Sequence, residues 1–151
     1  MLTSRELDEL VRRFEACELP RREWTHEAHL CVGLWHVCHH GPDVAWVRLR
    51  LGIRRLNESN GVVNSATSGY HETITRAYVQ LLAAFADRHA AAPLADSVAQ
   101  LLGGELAERS ALRKFYSRGQ LESTEARLGW VEPDLAPLAL DTVFGRRDAC
   151  T

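Results

Sequence analysis

Lysine is almost missing from this chain: of its 18 basic residues only Lys114 carries an ammonium, and the others are guanidinium groups. The bias is read as base composition of the encoding genome rather than as function. No surplus of one sign accompanies it. The formal net charge is −2 over 151 residues, too balanced to draw in nucleic acid or an anionic membrane as partner. No apolar run approaches the length needed to span a bilayer. Met1-Leu2-Thr3-Ser4-Arg5-Glu6 lacks the basic-then-apolar layout of a secretory signal. The four cysteines, Cys17, Cys31, Cys38 and Cys150, form no CxxC pair and follow no regular spacing. They are expected to be reduced thiols in a cytoplasmic protein. Alternating strand patterns are also wanting.

What is present is ordinary in bulk. Hydrophobic residues make up 46% and charged residues 25%, as in a soluble globular protein, and the length suits a single domain, 1–151, with a real core. Nearly every segment carries the helical period. The expected fold is all-α, a compact bundle of five to six helices with an extended C-terminal segment. A first helix over about 4–17 shows the stripe Leu7, Leu10, Val11 and Phe14, and Leu19-Pro20 ends it. Thr25 is a good N-cap for a second helix that stops at Gly41, and Pro42 suits the first turn of a third. The third helix has the stripe Trp46, Leu49, Ile53 and Leu56.

The stretch 57–69 is rich in Asn, Ser and Gly and reads as a loop. A fourth helix is expected over about 70–91, with Ile74, Tyr78, Leu81, Leu82 and Phe85 inward. Pro93 separates it from a shorter fifth, Gly103-Gly104 breaks that one, and another reaches roughly Tyr116. Beyond Trp130 the prolines of Val-Glu-Pro-Asp-Leu-Ala-Pro-Leu argue for an extended piece docked on the bundle.

Two motifs carry chemistry: Trp24-Thr25-His26-Glu27-Ala28-His29-Leu30 and Gly69-Tyr70-His71-Glu72-Thr73-Ile74-Thr75. Each sets histidine in the first turn of an expected helix beside an aromatic residue and a threonine. His26 and His29 are three apart and share a helix face, which Leu30, Gly33 and Val37 continue toward the core. If the second and fourth helices pack side by side, His71 joins them, and Gly33 permits a close approach.

Three imidazoles with an open position match a catalytic zinc arrangement. The same donors suit iron, copper or nickel, with zinc or iron the first expectation. An ion held by His26, His29 and His71 polarises a carbonyl or lowers the pKa of its water to about 7. Glu72 is then the candidate general base and Tyr70 a second catalytic group, with Thr25 and Thr75 as partners for the ring nitrogens. The spacing is not HExxH. This reading gives a metal-dependent hydrolase, lyase or oxygenase acting on a small polar molecule.

Two further readings keep the histidines. In one, the same pocket binds a small molecule or performs acid/base chemistry without metal, because a helix N-terminus favours neutral imidazole and offers N–H groups to an anion. In the other, the chain is a helical interaction module whose histidines are structural. An exposed apolar stripe leaves a homodimer open.

Other residues weigh less. His36, His39 and His40 close the second helix, where exposure is the plain expectation, although His36 and His40 fall on a line with His29 and leave a longer histidine row open. Cys31 and Cys38 read as small core residues. Asn57, Asn60 and Asn64 are expected to shape the loop. Arg127, Trp130 and Asp134 either close the site or pair on the surface. The strings Trp-Thr-His-x-x-His-Leu and Gly-Tyr-His-Glu-Thr-Ile-Thr, with Trp130-Val-Glu-Pro-Asp-Leu, resemble a family of small uncharacterised bacterial helical proteins. The resemblance covers roughly 19–138. It implies that His26, His29 and His71 belong to one site, and it brings no substrate.

Overall fold

The structure, a computed structural model, describes residues 1–144, so Cys150 lies outside the described residues. Among these, all regular structure is helical. Five longer helices form the body: α1 (Ser4–Glu15), α2 (His26–His40), α3 (Pro42–Ser59), α4 (Glu72–Arg88) and α5 (Leu94–Leu102). Three short ones follow: α6 (Arg118–Leu121), α7 (Thr124–Leu128) and α8 (Leu140–Phe144). None is long and apolar enough to cross a membrane.

Local chemistry sets the boundaries. Thr3 and Glu6 form a reciprocal capping box that starts α1. The Thr25 hydroxyl accepts from the Ala28 N–H and starts α2. Gly41, at φ 76°, ends α2 in a conformation that favours glycine, and Pro42 opens α3 in the next step. α2 is the hub and packs against α1, α3, α4 and α5. Its Leu30, Cys31, Val32, Leu34 and Val37 are buried in a cluster with Leu7, Phe14, Leu49, Leu82 and Phe85. Gly33 brings α2 and α4 together: a Cβ there would lie 2.7 Å from Leu82 Cδ1.

The loop after α3 is held by asparagine side chains, as their loop-shaping reading holds. Asn57 Nδ2 donates to Asn64 Oδ1, Asn64 Nδ2 to Arg54 O, and Asn60 Nδ2 to Leu19 O. The helix expected to reach Tyr116 is instead two 3₁₀ turns, Glu105–Ala107 and Ala111–Lys114. The extended C-terminal piece docks as expected, with Leu135 N–H donating to Phe115 O and the Tyr116 hydroxyl to Val131 O.

Two exposure expectations change. His36 is buried at 1% exposure, because α1 covers that face of α2; its Nδ1 donates to Val32 O and its Nε2 lies 3.4 Å from Glu15 Oε1. Cys38 is exposed, whereas Cys31 belongs to the core.

Candidate functional site

The first turn of α2 forms one wall of a cleft of about 380 Å³. Helices α3 and α4 supply the facing walls through Leu49, Ile53, Ile74, Tyr78, Val79 and Leu82, so the lining is mostly apolar. The polar groups are few: Thr25, His26, His29, Thr75 and Arg109. The segment 21–24 turns before α2 and lays the Trp24 indole against His29, with ring centroids 3.8 Å apart. Phe14 stacks on Trp24 at 5.0 Å and fixes the indole to the core. Trp24 Nε1 is buried there with no hydrogen-bond partner.

The two α2 histidines each use one ring nitrogen on the protein. His29 Nδ1 donates to Thr25 O at 2.6 Å, which leaves Nε2 as the unprotonated nitrogen of the neutral ring, with no hydrogen-bond partner among the described residues. Loss of water in the cleft holds the His29 imidazole down to about 4, so the ring is neutral at physiological pH. His26 Nε2 lies 3.3 Å from Leu106 O, and its Nδ1 has no hydrogen-bond partner among the described residues. The His26 ring meets Tyr78 edge-on at 5.7 Å, and burial pushes the Tyr78 phenol up to about 12.

His71 is placed elsewhere. It is the N-cap of α4 rather than a first-turn residue: its Nδ1 accepts from the Ile74 N–H at 3.1 Å, and its Nε2 donates to Leu121 O at 2.8 Å. Both nitrogens are therefore committed to the backbone. The ring lines a separate cavity of about 250 Å³, with Arg109, Arg113, Arg118, Leu121 and Arg127. Burial is the main cause that lowers its pKa, with the Arg127 charge adding to it. Ile74 and Arg109 line both cavities and form the partition between them.

Glu72 and Tyr70 form a third small group. Glu72 Oε1 accepts from Trp46 Nε1 at 2.7 Å, and Oε2 accepts from the Tyr70 hydroxyl at 2.9 Å. Arg50 Nε stands 3.9 Å away. Burial, with Glu72 beside it, raises the Tyr70 phenol well above its usual range. Both residues line a cavity of about 100 Å³ with Arg50, Arg54, Asn64 and Arg127, not the histidine cleft.

The sequence motifs thus bring His26 and His29 together and send His71 and the Glu72–Tyr70 pair to neighbouring positions. Among the described residues no three His, Cys, Asp or Glu side chains are grouped to hold a metal ion. The threonine hydroxyls do not touch the rings: Thr25 Oγ1 caps α2, and Thr75 Oγ1 donates to His71 O. Arg127 Nη1 donates to Gly69 O, and Asp134 accepts from the Ser117 N–H, so these two brace loops. Trp130 and Trp46 flank the Arg76 guanidinium, each within about 5 Å of it. Arg109 has no motif around it, and nothing in the sequence marked it for the cleft.

The chain matches no protein-family model, no curated protein and no solved structure with which it was compared.

Proposed function

We propose that the chain binds a small organic molecule in the cleft between α2, α3 and α4, with His29 as its hydrogen-bond and proton acceptor and Arg109 as the contact for a negative group. The state of His29 carries this reading. Its neutral ring is fixed by Thr25 O and Trp24, and Nε2 is left for a ligand. A mainly apolar cleft of a few hundred Å³ with a handful of polar groups is the usual form of a small-molecule site. An imidazole held neutral and oriented is suited to take a proton from a bound molecule.

Holding zinc or iron with His26, His29 and His71 together has less support, because both nitrogens of His71 are spent on Ile74 and Leu121. A two-histidine ion site is the second reading. It is favoured by His26 and His29, which line one cleft and each keep one ring nitrogen with no hydrogen-bond partner among the described residues.

The chain contains two isoleucines, Ile53 and Ile74, and both line the cleft. Isoleucine methyl NMR during a fragment screen therefore reads the cleft directly. Fragments that shift both methyls in the wild type and do not bind His29→Ala support the proposal. A screen in which no fragment moves either methyl overturns it. Metal content of protein purified without chelator or affinity nickel decides the second reading. Near-stoichiometric metal lost in His26→Ala and His29→Ala but kept in His71→Ala favours the two-histidine ion.

A further inference from the structure

The cavity behind the partition is strongly basic. Arg109, Arg113, Arg118 and Arg127 line it, and the one carboxylate among its lining residues is Glu122. Glu122 is already taken by Arg118, with Nε to Oε1 at 3.0 Å. Arg127 holds its place through Gly69 O, at 2.7 Å from Nη1. Arg109 and Arg113 have no hydrogen bond or ion pair to any described residue. His71 adds no compensating negative charge; its ring is a neutral donor to Leu121 O. Arg109, Arg113 and Arg118 are exposed, so solvent screens much of their mutual repulsion, and a bound oxyanion relieves what remains. Guanidinium suits that role because it presents paired N–H donors that match phosphate geometry.

The second observation is adjacency. Ile74 and Arg109 belong to both cavities, so the apolar cleft and the arginine pocket meet across one side chain of each kind. We infer that the ligand of this protein is an amphipathic organic phosphate, with its apolar body in the cleft beside His29 and its phosphate among Arg109, Arg113, Arg118 and Arg127. The inference rests on the small-molecule reading of the cleft and adds the class of the ligand. A phosphate dianion is preferred over a carboxylate because four arginines line the pocket against one glutamate, which Arg118 already pairs. Arg109, exposed at the partition, is the residue that contacts both parts of the ligand.

Isothermal titration calorimetry on the full chain, with hexyl phosphate, inorganic phosphate, 1-hexanol and heptanoate as probes, tests this. Hexyl phosphate is expected to bind at least tenfold more tightly than inorganic phosphate or hexanol, with an affinity that falls as salt rises. The double variant Arg113→Gln, Arg118→Gln, at two residues that line the arginine pocket and not the cleft, should weaken hexyl phosphate at least tenfold and leave hexanol unchanged. The Ile53 methyl reports occupancy of the cleft without any substitution there, whereas Ile74 lines both cavities. Hexyl phosphate that binds no better than hexanol, and ignores the arginine substitutions, overturns the inference and leaves the cleft reading standing. Phosphate and hexyl phosphate that bind equally, without moving the Ile53 methyl, overturn the two-part ligand together with the cleft. Heptanoate that binds more tightly than hexyl phosphate overturns the headgroup assignment.

Discussion

The imidazole of His29 lies 3.8 Å from the indole of Trp24, ring centre to ring centre, and its Nδ1 donates to Thr25 O at 2.6 Å. A stacking surface and a backbone acceptor thus fix both the plane and the tautomer of this ring. One nitrogen is locked inward on the helix cap, and the other is free. His71, by contrast, has both nitrogens hydrogen-bonded to the backbone.

Acid should loosen the fold in a defined window. The His29 pKa is lowered from 6.5 to about 4 by loss of water, and burial also lowers His36 and His71. Between these limits the unfolded chain binds more protons than the folded one, so stability rises with pH. It is fully present above about 6.5 and is lost as pH falls toward 4. One pKa unit is worth about 1.4 kcal/mol, so His29, discounted for its partial exposure, contributes on the order of 2 kcal/mol across the window. Urea unfolding at a series of pH values checks this, with His29→Gln expected to flatten the slope. A wild type equally stable at pH 4.5 and pH 7 would contradict it.

His71 should prove to be a cap. His71→Ala removes the acceptor for the Ile74 N–H and strands Leu121 O, at a cost of about 2 kcal/mol. His71→Asn keeps a side-chain acceptor at the N-cap and should recover about half of that. Binding of 1-hexanol, followed by the isoleucine methyls, should be unchanged in both. A folded His71→Ala protein that no longer takes up hexanol would put the ring back in the cleft site.

The contrast between His71 and His29 shows how far the sequence can be read. The periodic stripes of α1 to α5, the cap at Thr25 and the Gly41-Pro42 junction mark the helices because each is a local pattern of a full turn or more. The segments Arg118–Leu121 and Thr124–Leu128 are single turns started by Ser117 and Ser123, too short to show a period. His26 and His29 are legible as neighbours because they stand three apart on one helix. The destination of His71 turned on one residue of register. As a first-turn residue it would have faced the core; as the N-cap it folds its ring back onto its own helix. His36 stands one heptad after His29, a weak sign of burial that its place near the helix end masked, since its cover comes from α1. The four arginines come from separate turns and share no spacing, so their gathering is a product of tertiary structure alone.

Glu72 should matter for stability rather than for binding at the cleft. Its two oxygens accept from Trp46 and Tyr70, so Glu72→Leu strands two buried donors and should cost about 3 kcal/mol. Glu72→Gln keeps an acceptor for Trp46, while the Tyr70 hydroxyl can turn to accept from the amide, so its cost should stay near 1 kcal/mol. Denaturant unfolding followed by tryptophan fluorescence gives both values. Hexanol binding that disappears in a folded Glu72→Gln protein would instead make this carboxylate part of the site.

Two glycines separate packing from site shape. A Cβ at Gly52 would lie 2.5 Å from Phe14 Cζ, and that ring is fully buried against Trp24 and cannot yield. Gly52→Ala should therefore cost about 2 kcal/mol, a typical penalty for overfilling a packed core. A Cβ at Gly33 would meet only the tip of Leu82, at 2.7 Å, and Leu82 lines the cleft, so its methyl can turn into that open space. Alanine also favours the helix by about 1 kcal/mol over glycine. Gly33→Ala should then leave stability within about 1 kcal/mol of wild type. It should nonetheless weaken hexanol binding several-fold, because Leu82 now occupies ligand volume. Thermal unfolding and calorimetry on the two variants read these effects separately. A Gly33→Ala protein that binds hexanol as well as wild type would mean that the space beside Leu82 is not where the ligand sits.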